Sequence, residues 1–105
     1  MLRILALLVS LIIMPLAAAT SHAADAAAGK AKAAVCFSCH GPAGISSNPQ
    51  WPNLAGQKAE YIVEQLKEFK TGARRNALMS PQAKNLSNDD ISNLAAYFSS
   101  LKCSP

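Results

Sequence analysis

Between Ala59 and Phe69 the apolar residues Ala59, Ile62, Val63, Leu66 and Phe69 recur in steps of three and four, with Glu60, Glu64 and Glu68 on the opposite side. This spacing predicts an amphipathic helix with one face turned to a core and a solvated glutamate face, ended by Gly72. A second stripe, Ile91, Leu94, Ala95, Phe98 and Leu101, follows "LSNDDI". There Ser87 reads as an N-cap, and Asp89 and Asp90 sit in the first turn of the helix. Tyr97 borders this stripe, placed to pack across another helix. The alanine-rich stretch from Ala26 to Val35 predicts a third helix, with Asp25 as its cap near the positive end of the dipole. Gly29 interrupts it at a cost of about 1 kcal/mol relative to alanine, so it is either tolerated or marks the close approach of another helix backbone. No segment carries a convincing strand pattern, and the expected fold class is all-α.

Two stretches separate these helices, Gly41 to Gly56 and Thr71 to Leu86, both polar or proline-bearing and free of repeats. Loops of this length are unusual in a small domain unless they wrap something functional. Ahead of the helices stand one basic residue, Arg3, an apolar run from Ile4 to Ile13, and small residues ending in Ser21-His22-Ala23. That order predicts a secretory signal peptide over residues 1–23, cleaved after Ala23; the apolar run is short for a membrane span, and an uncleaved anchor is the competing reading. The expected mature unit is then one domain, residues 24–105, soluble and exported to a periplasm.

Composition sharpens this picture. The 105 residues carry ten Lys and Arg against six Asp and Glu. Losing Arg3 with the leader leaves nine against six, a net charge of +3. The balance suits docking on acidic proteins or peripheral association with a membrane, and the basic residues are too scattered for nucleic-acid binding. A chain this short buries a thin core and calls for a staple, whether disulfide, metal or cofactor. After the leader is removed a single histidine, His40, and a single methionine, Met79, remain.

The chemistry concentrates in "VCFSCHGPAG", where Cys36 and Cys39 are separated by two residues and followed by His40. A zinc site would need further ligand pairs, and none is apparent. A redox disulfide of the thioredoxin kind would normally open a helix beside a sheet and has no need of His40. C-x-x-C-H is the attachment signature of a c-type haem, with two thiols forming thioethers to the porphyrin and the adjacent imidazole on the iron.

With these motifs, the chain from about Asp25 to Lys102 resembles a class I c-type cytochrome, and most closely one half of the bacterial two-haem cytochromes of the c-four type or the related small single-haem cytochromes. The resemblance is carried by "AAGKAKAAVCFSCHGPAG", "WPNLAGQKAEYIVEQLKEFKTGARRNALM" and "LSNDDISNLAAYFSSL". It implies a compact domain of three to five helices around one haem c, covalently held by Cys36 and Cys39 with His40 as proximal ligand. Pro52 matches the proline whose carbonyl accepts from the other ring nitrogen of that histidine, with Pro49 as the alternative, and such an acceptor orients the ring and raises its basicity. Leu54 matches an apolar residue against the haem, Met79 the distal ligand, and Gly29 with Tyr97 the crossing of the first and last helices. Independently of the resemblance, no second histidine is available to the iron, and thioether ligation favours the ferrous state.

Weaker candidates surround these. Arg74 and Arg75 are positioned either to pair with haem propionates or simply to face solvent. Trp51 either donates its indole N–H to a propionate or fills space beside the ring. Lys30, Lys32, Lys58 and Lys84 either ring a haem edge that steers acidic partners or form ordinary surface. Cys103 is either a free thiol or one half of an intermolecular disulfide. The function expected is one-electron transfer by a monomer, without enzymatic bond chemistry, between redox proteins such as a quinol-oxidising complex, a dehydrogenase or a terminal oxidase. A haem-bearing subunit of a larger complex and an open-site haem enzyme are the alternatives.

Overall fold

In the computed structural model, which describes residues 12–18 and 23–104, the chain runs through five α-helices and one 3-10 turn, with no strand among those residues. The helices are α1 (Ala26–Lys32), α2 (Phe37–His40), α3 (Ala59–Thr71), α4 (Met79–Lys84) and α5 (Asn88–Ser100), and the 3-10 turn (Ala33–Cys36) joins α1 to α2. Most of the leader expected over residues 1–23 lies outside the described residues. Among those described, no helix is long and apolar enough to cross a membrane.

The core is built on α5. Its Ile91, Leu94, Ala95, Tyr97 and Phe98 are all buried, with Ile91 and Phe98 the largest side chains that are fully enclosed. Ile62 from α3 and Ala33 from the 3-10 turn join Leu94, Ala95, Tyr97 and Phe98 in the central cluster, with Leu54, Val63, Leu66, Leu86 and Leu101 packed against it. The apolar stripes read from the sequence are therefore the faces that meet. Leu101 caps α5 rather than belonging to it and stays half-buried on the cluster.

Gly29 is where α1 and α5 touch. A methyl group on it would overlap the Asn93 carbonyl and come within 2.9 Å of the Tyr97 Cβ. Of the two explanations for this glycine, close approach is the correct one, because only a residue without a Cβ lets the backbones come so near. Polar contacts fix the same crossing: the Asp25 N–H donates to Asn93 Oδ1 at 2.8 Å, and Lys32 pairs with Asp90 at 3.3 Å. Asp25 caps α1 through bonds from the N–H groups of Ala27 and Ala28. Ser87 caps α5 in a capping box closed by Asp90.

Two expectations need correction. The first helix does not stop at Val35: after α1 the chain tightens to a 3-10 turn and returns to α-helix through His40, so the whole C-x-x-C-H stretch is helical. The stretch from Thr71 to Leu86 is also not all loop, since it contains α4 with Met79 as its first residue. This six-residue helix has only Ala83 buried, so it carries no apolar stripe for a periodicity search to find.

Candidate functional site

His40 is the one buried polar residue among those described, 6 % exposed at the C-terminal end of α2. Gly41 ends that helix at φ 83°. A side chain there would meet strain twice, from the left-handed backbone and from overlap with the Ile45 carbonyl. The turn sends the chain out and back, and the Gly44 carbonyl accepts from the N–H groups of Leu54 at 2.8 Å and Ala55 at 3.0 Å. Within the loop, Ser46 N–H donates to Asn53 Oδ1 at 2.7 Å, and the Ser46 hydroxyl lies 3.1 Å from the Cys39 carbonyl. Asn48 Oδ1 accepts from Gln50 N–H at 2.9 Å. Sequence reasoning passed over these three residues; the clustering of Ser and Asn in "SSNPQWPN" is the turn-forming signal that marks them.

This loop delivers the Pro52 carbonyl to His40 Nδ1 at 2.8 Å. Pro52, not Pro49, is thus the acceptor. A carbonyl only accepts, so Nδ1 carries the proton and the neutral ring keeps its lone pair on Nε2. No buried polar side-chain atom among the described residues lacks a partner, so Nε2, which has no hydrogen-bond partner of its own, keeps some access to solvent.

Cys36 and Cys39 stand on the same short helical stretch, half-buried and unbridged. Burial pushes the Cys36 thiol above its ordinary value, and neighbouring Cys39 adds to the shift. A redox-active dithiol needs the opposite shift, because the thiolate is the nucleophile. The described residues also contain no cluster of three His, Cys, Asp or Glu side chains to hold a bare metal ion. Two thiols and one imidazole lone pair, with no complete ligand set of their own, fit a macrocycle that brings its iron with it.

Leu54 is half-buried against the core cluster and Trp51 is half-buried in the returning loop. Met79 is half-buried at the start of α4. Arg74 is turned to α3, where Nη1 donates to Gln65 Oε1 at 2.7 Å and the guanidinium lies 4.5 Å from the centre of the Phe69 ring. Arg75 is exposed and lines an open cavity of about 420 Å³ with Asn76, Ala77, Ser80 and Pro81. Lys30, Lys32, Lys58 and Lys84 are all exposed, Lys32 being the one paired with Asp90. Cys103 is an exposed free thiol whose Cβ packs over Gly56.

A helical fold built on a C-x-x-C-H turn defines a class of haem-binding domain, and comparison with known proteins agrees. A scan against protein-family models matches residues 26–102 to cytochrome c. The chain is 48 % identical over 99 residues to cytochrome c4 of Pseudomonas aeruginosa, a match covering 93 % of this chain and 49 % of that protein. It is 46 % identical over 78 residues to the thiosulfate dehydrogenase electron acceptor of Thiomonas intermedia, covering 72 % of this chain and 36 % of that one. Among solved structures, reduced recombinant cytochrome c4 from Pseudomonas stutzeri matches with a TM-score of 0.72 at 42 % identity, over 76 % of this chain and 47 % of that one. The chain spans half or less of the length of these relatives. It belongs to the cytochrome c family, and it matches one half of the cytochromes c4.

Proposed function

We propose that this domain carries one electron at a time on a single haem c, held by thioether links from Cys36 and Cys39 and ligated by His40 and Met79. The observation that supports this most directly is the His40–Pro52 bond, which fixes the ring tautomer with Nε2 as the free donor beside two unbridged thiols. When bound, the haem supplies a ferric/ferrous couple. The protein's own groups do the rest. Helix α2 holds Cys36, Cys39 and His40 in one rigid turn, the Pro52 carbonyl keeps the imidazole oriented and basic, and Met79 offers a soft thioether that favours the reduced state. Held by both His40 and Met79, the haem would be left without a ligand place for substrate, and the protein would work as a carrier rather than an enzyme.

The basic, apolar and small-residue order of residues 1–23 supports a cleaved leader, with work in the periplasm by a mature domain beginning at Ala24. Its partners are redox proteins with acidic docking faces, and a dehydrogenase is the class of donor suggested by the name of the Thiomonas intermedia relative. Intact-mass measurement on exported protein from a host competent in cytochrome maturation tests the attachment: a mass raised by one haem and starting at Ala24 is expected, and bare polypeptide overturns the proposal. The ligand pair is tested by the oxidised spectrum, which should show a sulfur-to-iron band that is absent in Met79→Ala.

A further inference from the structure

Met79 sits where its own segment gives it little apolar support. Residues 73–78, between the end of α3 and the start of α4, are all exposed to some degree above burial by the protein core, with Leu78 at 59 %. What closes around Met79 instead is a ring of hydrogen bonds between Asn76 and Ser80. Asn76 Oδ1 accepts from the N–H groups of Leu78 and of Met79 itself, each at 2.9 Å. The Asn76 N–H donates to Ser80 Oγ at 3.0 Å, and the Ser80 N–H returns a bond to the Asn76 carbonyl at 3.0 Å. Two bonds thus tie Asn76, three positions before Met79, to Ser80 just after it, and two more run from Asn76 to the segment between them, one of which ends on the Met79 amide.

Two further contacts anchor this clasp to the body of the domain. Upstream, Arg74 N–H donates to the Glu68 carbonyl at 3.1 Å while its guanidinium is held by Gln65 and Phe69. Downstream, Ala83 is fully buried and Lys70 donates to the Leu86 carbonyl just beyond α4. The clasp therefore spans a stretch that is fixed at both ends and supported between them by polar bonds.

We infer that Asn76 is a positioning residue for Met79, its side-chain oxygen holding the Met79 amide and thereby setting how readily the sulfur leaves the iron. The inference rests on the proposed His40/Met79 ligation. Side-chain oxygen is the essential feature, since an N-terminal cap works by accepting from the first free N–H groups of a helix. Aspartate preserves that acceptor and alanine removes it. Ser80 acts from the other side by accepting the Asn76 N–H, so its loss weakens the same ring with Asn76 intact.

The test uses the full haem-bearing protein and follows the rate at which added imidazole replaces the methionine in the ferric form, read by stopped-flow absorbance. Asn76→Ala should mature with haem attached and exchange about fivefold faster than the wild type, the factor carried by a lost side-chain cap. Asn76→Asp should stay near the wild-type rate. Asp25→Ala, which removes the cap of α1 at the far end of the chain, should leave the exchange rate unchanged although it lowers stability. If Asn76→Ala yields no folded protein, Ser80→Ala carries the test with a smaller increase expected. An unchanged rate in Asn76→Ala or its substitute, or an equal rise in Asp25→Ala, overturns the inference while leaving the ligand assignment intact. A wild-type protein that lacks the sulfur-to-iron band and takes imidazole without delay overturns the ligand assignment, and the inference falls with it.

Discussion

His40 shows how one residue acquires a function from its neighbours. Its identity is only an imidazole, but the Pro52 carbonyl selects which nitrogen holds the proton and which is left to donate. Met79→Ala should separate the two ligand roles. Haem should remain attached through Cys36 and Cys39, and the ferrous protein should bind carbon monoxide, which the wild type with both positions taken should not; a visible spectrum under carbon monoxide reads this directly. Gly29 illustrates the opposite case, a residue valued for what it lacks. In Gly29→Ala the new methyl would overlap the Asn93 carbonyl, so α1 has to move off α5. Overpacking of this kind costs about 1–3 kcal/mol and should outweigh the gain in helix propensity. The guanidinium midpoint of the haem-bearing variant should fall accordingly.

At the scale of the elements, α5 is specified twice, by its buried stripe and by its capping box. Truncating the stripe at Phe98→Ala should cost about 3–5 kcal/mol, because that ring is almost wholly enclosed. Removing the cap at Ser87→Ala should cost about 1 kcal/mol, measured by thermal unfolding at neutral pH. The other half of the box titrates. The Asp90 carboxyl is held below its usual range, first by the Ser87 backbone N–H and with further help from Lys32. A lowered folded value means that its contribution is present above the ordinary carboxylate range and is lost as pH falls through that lowered value. Asp90→Asn should therefore be less stable than the wild type at pH 7, with the difference closing in strong acid. The stripes of α3 and α5 and the caps of α1 and α5 were legible in the sequence because each is written in local spacing. The six residues of α4 were not, since its only buried side chain is Ala83 and its start depends on Asn76 folding back onto the Met79 amide.

For the whole molecule the governing quantity is charge. A chain with ten basic and six acidic residues should react with an anionic reductant at a rate that falls as salt is added, and with a cationic one at a rate that rises. Stopped-flow reduction at ionic strengths from about 0.01 M to about 0.5 M checks the sign. The sequence alone pointed to a helical chain, to Cys36, Cys39 and His40 as the candidate chemistry, and to Pro49 and Pro52 as the candidates to orient the imidazole. These are properties of residue type and short-range spacing, which the linear order preserves. Only the folded chain decided which proline meets His40, that Gly29 is a crossing point, and that Arg74 turns to Gln65 and Phe69. Each of these joins residues between 5 and 68 positions apart, or depends on a turn such as that at Gly41. Such contacts are set by how loops close and helices pack, which no local pattern records.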